Sequence, residues 1–353
     1  MQYLQTRRLL LAKQLLTDTQ LPVTQVALAS GFKSLRRFNA AFADSYRMSP
    51  GRLRRSAAPD GTADDSCVTL SLGWRDPFDA AALLRFFAQR AIPGIETVAA
   101  LTLRRTVRAG IMGSEAGWIE ARFEPQASRV SLRFCPQWAL SSAKVVSAAR
   151  RWLDLDAAPQ SIAAALTDLP GAPGLRLPGS LDGFELAVRA VLGQQVTVAA
   201  ARTLASRLVA RFGEALASPW PDVDRVFASP DALAAARIED IAELGIIRGR
   251  AGAIVALAQA WPRIDAQLYK GAPPEGLIDT LCALPGIGPW TAHYVAMRAL
   301  SWPDAFPPRD VAVLKAMQQL FNTAPLGADA KAQTWRPWRS YAVLRLWNSL
   351  EAS

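Results

Sequence analysis

Apolar positions recur at helical spacing at both ends of this chain and alternate in its second quarter. Leu4, Leu9, Leu11, Leu15 and Leu16 fall on a helical repeat with Arg7, Arg8 and Lys13 between them, which predicts a helix over residues 4–16. Pro22 stands where proline is best tolerated, at the opening of a helix over 23–29. Gly31-Phe32 marks a turn. Ser34 is placed to cap a third helix in which Phe38 and Phe42, four apart, face inward while Arg36, Arg37 and Asn39 face out. The small polar run from Ser56 to Ser66 reads as a flexible linker. Val68–Leu72 then alternates as a strand does, a helix follows over 79–91, and further strands are expected over 96–107, 118–123 and 130–134. From about Lys144 the pattern is nearly all helical, with amphipathic helices over 183–192 and 196–212. The chain thus reads as multidomain α+β. An all-α unit occupies 1–57 and a linker 58–66. A small antiparallel α+β unit follows at 67–145, and a large all-α region at 146–353.

Composition narrows the function more than the fold. The 353 residues are 51% hydrophobic, normal for a protein with real cores, and hold no run of 18 apolar residues that could span a membrane. The N-terminus lacks a signal-peptide pattern. Cys67, Cys135 and Cys282 lie too far apart for a zinc knuckle or an iron–sulfur loop, and their use suggests a reducing cytoplasm. His293 is the only histidine, which removes multi-histidine metal chemistry. Of the net charge of +10, residues 1–57 carry +8, from ten Lys/Arg against Asp18 and Asp44. The remainder has thirty Lys/Arg against twenty-eight Asp/Glu, a net of +2. The N-terminal unit therefore has the electrostatic footprint of a DNA-binding module, whereas the rest must recognise its target by local geometry.

The most informative stretch is 284–310. Leu-Pro-Gly-Ile-Gly-Pro-Trp-Thr-Ala at 284–292 predicts a helix, a tight turn with positive φ at Gly286 and Gly288, and a second helix whose first N–H groups are free to bind phosphate. Pro307-Pro308-Arg309-Asp310 ends ahead of the apolar run Val311–Leu314, which puts Asp310 at a helix N-cap. On residues alone this is also compatible with an ordinary phosphate-binding turn and a capping aspartate. The full pattern resembles the helix–hairpin–helix base-excision DNA glycosylases.

Other blocks extend that resemblance. The run "GSLDGFELAVRAVLGQQVTVAAARTLASRLVARFG", the stretch Leu244–Ala251 and the block "WRPWRSYA" with Trp347 are similar to the 3-methyladenine DNA glycosylase II family, over nearly everything from Val68 to Asn348. The run "VALASGFKSLRRFNAAFADSYRMSPGRLRR" resembles the second helix-turn-helix of AraC-type DNA-binding domains. The first unit of that pair is missing, through truncation or a late start, which puts operator binding in question.

The resemblance implies a monofunctional hydrolase that flips alkylated purines of the 3-methyladenine type out of double-stranded DNA. It would cleave the N-glycosidic bond and leave an abasic site. Asp310 matches the family's essential aspartate, with Asp304 the weaker candidate. Trp290, Tyr294 and Trp347 match the base-pocket positions, where electron-rich rings attract a cationic base. Taken singly, each of these aromatics reads equally well as core filler. Trp290 stands where strand-cutting relatives carry a nucleophilic lysine. DNA contacts are expected from Gly286, Gly288, Gln194, Gln195, Arg248 and Arg250, with Gln195 at the wedge position, and from Arg36, Arg37 and Asn39 in the N-terminal unit. No cofactor is required; a structural Na⁺ or K⁺ on the main-chain carbonyls of Cys282, Leu284 and Ile287 is implied. A monomer in the cytoplasm is expected. The competing reading is a DNA-binding regulator of the alkylation response with an inactive glycosylase-like region. No Pro-Cys-His-Arg methyl-acceptor motif exists here, which argues against direct methyl transfer.

Overall fold

The computed structural model describes residues 2–18, 21–56, 67–269, 273–322 and 327–351; the expected linker at 58–66 lies outside them. The N-terminal unit is α1 (Gln2–Asp18), α2 (Val23–Ala29), α3 (Leu35–Tyr46) and α4 (Pro50–Ser56). Ser34 caps α3 by accepting from the Arg37 N–H, Phe38 and Phe42 are fully buried, and Arg36, Arg37 and Asn39 are exposed, as their spacing demands.

Strands β1 (Val68–Gly73), β2 (Glu96–Ala99), β3 (Thr102–Val107), β4 (Gly117–Glu124) and β5 (Arg129–Phe134) form one antiparallel sheet in the order β1-β5-β4-β3-β2, with α5 (Ala80–Arg90) between β1 and β2. The single strand expected over 96–107 is in fact a hairpin. Ala99 pairs with Thr102, and Ala100 takes a left-handed conformation (φ 48°) that reverses the chain between them.

Two expected unit boundaries do not coincide with breaks in the core. Leu9, Ala12, Leu15 and Leu16 of α1 join the same apolar cluster as Leu70 of β1 and Leu132 of β5. The Gln14 side-chain amide donates to the Ser71 carbonyl on this edge strand. The N-terminal unit is thus packed onto the sheet and covers one of its edges. Likewise α6 (Ser142–Trp152) straddles residue 145. Val145, Ala149 and Trp152 fill the sheet's core, so a cut at 145 would divide one packed helix.

The remaining helices are α7 (Pro159–Ala165), α8 (Gly183–Leu192), α9 (Val198–Phe212), α10 (Pro230–Ala235), α11 (Ile238–Ala242), α12 (Arg248–Tyr269), α13 (Pro274–Cys282), α14 (Pro289–Ala299), α15 (Val311–Phe321), α16 (Ala328–Gln333) and α17 (Arg339–Glu351). One core is built by α8, α9, α12, α13 and α14, and another by α7 and the helices from α15 to α17. Among the described residues no helix is long and apolar enough to cross a membrane.

The sheet meets the first core across a buried grid of four charges. Arg105 of β3 pairs with Glu96 (3.4 Å) and Glu185 (2.5 Å); Arg189 of α8 pairs with Glu96 (2.7 Å) and Glu185 (2.8 Å). Burial alone would raise the Glu185 carboxyl, but Arg105 and Arg189 outweigh it and hold it below the usual carboxylate range. Alongside, Arg108 binds Asp182 at 2.6 Å, the N-cap of α8. The grid therefore fixes α8, whose C-terminal end opens into the candidate site.

Candidate active site

The turn between α13 and α14 depends on one glycine for its shape. Gly286 has φ +76°, and a Cβ there would stand 2.8 Å from the Cβ of Ala253 on α12, so both conformation and close packing exclude a side chain. Gly288 differs from expectation. Its backbone is extended (φ −93°) at the N-cap of α14, and a Cβ would meet nothing within 4 Å. Among the described residues no contact calls for glycine at 288. What its bare backbone leaves is open space beside the first turn of a helix, where a phosphate could approach the N–H groups.

Asp310 is the N-cap of α15. Its Oδ1 accepts from the Val313 N–H at 2.9 Å, which fixes the carboxylate against the helix start. Two indoles bind the same group: Trp290 Nε1 donates to Oδ2 at 2.7 Å and Trp347 Nε1 donates to Oδ1 at 3.2 Å. The three donors are all neutral N–H groups. Asp310 is only 6% exposed, yet it lines a cavity of about 430 Å³ together with Trp290, Tyr294 and Trp347.

Trp290 and Tyr294, one turn apart on α14, stack with centroids 5.3 Å apart and planes 9° from parallel. At that spacing no third ring fits between them. They form one continuous aromatic wall, against which Trp347 of α17 stands tilted by 47° at 6.4 Å from Tyr294. Arg298 continues the same series one turn further on. Its Nη1 donates to the Tyr294 hydroxyl at 2.7 Å, and its other nitrogens donate to the carbonyls of Pro178 (2.8 Å) and Gly179 (3.2 Å). Burial would raise the Tyr294 phenol, but Arg298, Arg90 and Arg189 outweigh it and draw it below its usual value. The cavity is therefore polarised, with a carboxylate on one side and guanidinium groups on another.

These arginines were not anticipated. Arg90, Arg189, Arg202 and Arg298 all line the cavity. The i, i+4 series 290, 294, 298 could have pointed to Arg298. Arg90, from the helix beside the sheet, carries no local signal. Asp304 is tied to Arg336 (2.8 Å) and Arg339 (2.7 Å) outside the cavity lining. Its carboxyl stays low because those guanidinium bonds outweigh its partial burial, and it holds the segment before Asp310 in place.

The expected DNA-contacting residues separate into two groups. Gln195 is exposed beside the cavity mouth, and Arg248 is exposed while pairing with Glu239 at 2.7 Å. Gln194 and Arg250 are instead turned inward. The Gln194 Nε2 donates to the Gly286 carbonyl and to Thr291 Oγ1, both at 3.0 Å, and Arg250 donates to the Gln194 carbonyl. Gln194 thus holds the turn before α14 and Arg250 holds the Gln194 carbonyl, so these atoms are engaged within the protein where free DNA contacts were expected. Helix α9 starts at Val198 behind the cap Thr197, so the connection after α8 is a longer loop, 193–197, than the three residues expected. Arg36, Arg37 and Asn39 sit on α3 in the N-terminal unit and contribute nothing to the cavity.

Comparison with known proteins gives consistent matches along the chain. Family models match at residues 1–56 (helix-turn-helix domain), 69–182 (AlkA N-terminal domain) and 188–340 (HhH-GPD superfamily base excision DNA repair protein). The probable bifunctional transcriptional activator/DNA repair enzyme AlkA of Mycobacterium tuberculosis (strain H37Rv) is 36% identical over 356 residues, covering 98% of this chain and 70% of its own. DNA-3-methyladenine glycosylase 2 of Escherichia coli (strain K12) is 36% identical over 280 residues, covering 78% of this chain and 96% of its own. Among solved structures, the 3-methyladenine DNA-glycosylase from Archaeoglobus fulgidus shares the fold, with a TM-score of 0.65 at 20% identity over 78% of this chain and 97% of that one.

Proposed function

This chain belongs to the AlkA family of base-excision DNA glycosylases, and from that premise we propose that its cavity receives an alkylated purine flipped out of duplex DNA. The enzyme is a DNA glycosylase with an appended helix-turn-helix domain. The observation that carries the substrate proposal is the carboxylate of Asp310, held by two indole N–H groups on the wall of an aromatic cavity.

Extruding the base costs roughly a few kcal/mol, least where damage has already weakened pairing. An alkylated purine carries positive charge on its ring, and the Tyr294–Trp290 wall offers an electron-rich face to it. Heterolysis then breaks the bond from the sugar C1′ to the base nitrogen. The electron pair leaves with the base, and the sugar becomes oxocarbenium-like. Asp310 faces that developing charge at fixed distance and stabilises it electrostatically. Because its two oxygens already accept three N–H bonds, it acts as a fixed counter-charge more than as a proton carrier. Water adds to C1′ and loses a proton, leaving an abasic site. Trp290 supplies no amine at the turn, so the reaction stops there without cutting the strand.

In this reading the turn at Gly286–Gly288 grips a backbone phosphate and Gln195 enters the gap in the duplex. The reaction requires no cofactor. The turn also suits a structural Na⁺ or K⁺. The Leu284 carbonyl accepts from the Ile287 N–H at 3.3 Å and keeps a second lone pair, which with the carbonyls of Cys282 and Ile287 would face a monovalent cation. The N-terminal domain adds DNA affinity through Arg36, Arg37 and Asn39, and the enzyme works as a monomer. The test is release of free base from methylated DNA, with and without Asp310→Asn. Release of 3-methyladenine that vanishes in the variant supports the proposal; no release from the unaltered enzyme on any alkylated lesion overturns it and favours the regulatory reading.

A further inference from the structure

The loop Gly193–Thr197 carries the residue proposed to enter the DNA, and its ends are tied to α8 and α9 by the Gly193 N–H and the Thr197 cap. Gln195 occupies the left-handed region with φ 54°, a conformation that costs a non-glycine residue roughly 1 kcal/mol or more. It is held there from the preceding position. Gln194 is half-buried. Its N–H donates to the Val191 carbonyl at the end of α8 at 3.3 Å, and its own carbonyl accepts from Arg250 in the first turn of α12. Its side-chain amide spans to the turn before α14, donating at once to the Gly286 carbonyl and to Thr291 Oγ1. That turn rests in its place on α12, where Gly286 faces Ala253. One residue therefore ties together the loop at the cavity mouth, the start of α12 through its main-chain carbonyl, and the phosphate-gripping turn through its side-chain amide.

We infer that Gln194 is a positioning residue that couples the grip on the DNA backbone to the insertion of Gln195, with Arg250 as its second anchor. The inference rests on the glycosylase reading given above. Thr291 is 2% exposed and Ile287 of the turn is buried in the core, so the tie has a rigid base to work from. Gln194 touches neither the cavity's aromatic wall nor Asp310, and its loss should leave the chemistry intact while loosening the wedge. Misplacing a group by about 1 Å can cost on the order of 10²-fold in rate, and a wedge left mobile within its loop should cost less, roughly tenfold.

The experiment is single-turnover excision of one alkylated purine in two duplexes. In the first the lesion is paired with its normal partner. In the second it lies opposite a tetrahydrofuran abasic analogue, where extrusion breaks no pairing. Gln194→Ala should be slowed about tenfold on the paired lesion and within about twofold of the unaltered enzyme on the unpaired one. Gln194→Glu, which keeps the length but cannot donate to the Gly286 carbonyl, should behave like the alanine variant. Arg250→Ala should fall in the same direction, and the double variant should be no worse than the worse single one. Affinity for undamaged duplex should not change. Equal slowing on both duplexes would mean a distorted active site, and no slowing on either would mean an idle contact; each overturns the inference. If the unaltered enzyme excises neither lesion, it is the glycosylase reading that has failed, and the two failures are distinct.

Discussion

Trp290 donates its indole N–H to Oδ2 of Asp310 across 2.7 Å, so the ring that forms the cavity wall also fixes the carboxylate. Binding of the base and stabilisation of the sugar cation are therefore mechanically one unit.

Asp310→Asn keeps an N-capping oxygen for the Val313 N–H, while its amide NH₂ would meet the Trp290 N–H in place of Oδ2, so it should fold with some loss of stability. It removes the counter-charge. Base release should fall by at least about 10²–10³-fold, the range seen when one preorganised electrostatic contact to a transition state is lost. A single-turnover rate together with a melting curve that stays cooperative above the assay temperature checks both halves of this expectation.

Trp290→Phe and Trp347→Phe keep a ring and delete one N–H to Asp310 each. Hydrogen bonds to charged groups contribute about 1.5–3 kcal/mol, so each variant should lose roughly 10- to 100-fold in kcat. Trp290→Phe should lose more, since its bond is shorter (2.7 against 3.2 Å). The opposite ranking would show that ring stacking outweighs carboxylate positioning.

Borohydride should trap no covalent complex between the enzyme and lesion-bearing DNA. The turn presents Trp290 where a Schiff base would need an amine, and abasic DNA should accumulate uncut. A trapped adduct on a denaturing gel would contradict the monofunctional mechanism.

Asp154 offers a test of pH-dependent stability away from the cavity. Burial pushes its carboxyl up to about 6, against the bonds it accepts from the Leu177 N–H and the Tyr341 hydroxyl. The folded protein thus holds a proton here that the unfolded chain releases near pH 4. The stability this group contributes is present below pH 4 and is lost as pH rises to about 6. Asp154→Asn keeps an acceptor and suits the left-handed backbone at this site (φ 51°). It should be more stable than the unaltered protein by roughly 1–3 kcal/mol at pH 7.5, with the difference vanishing near pH 4. Melting temperatures of the pair across that range decide the matter.

Removing residues 1–57 should destabilise the sheet. The deletion strips Leu9, Leu15 and Leu16 from the core they share with Leu70 and uncovers the edge strand β1. A lower melting temperature and concentration-dependent association are expected, while excision per folded molecule should persist. A shortened chain that melts like the full one would show that the packing against β1 contributes little.

The sequence was most legible where local chemistry determines structure. Ser34 and Asp310 each occupy a position where a short polar side chain satisfies helix N–H groups, and each caps a helix. Trp290 and Tyr294 share a face because they are four apart. What escaped notice depends on distant partners. The strand over 96–107 has no glycine or proline to mark its reversal at Ala100. The basic lining from Arg90 and Arg189 is assembled by contacts between sheet and helices. Gln194 and Gln195 look alike in sequence, but only the packing of α12 against the turn shows that one is an anchor and the other free. The shared core of the N-terminal unit and the sheet was likewise hidden, because a linker signal reports on local composition and says nothing of whether two units dock.

The grid of Glu96, Arg105, Glu185 and Arg189 limits how this protein can be re-engineered. A chimera that took its helical half from a relative with only one of the two α8 charges would leave an unbalanced ion in this buried seam, and breaking a buried pair costs about 3–5 kcal/mol. Grafting a new base pocket onto this scaffold therefore means transplanting both sides of that seam together.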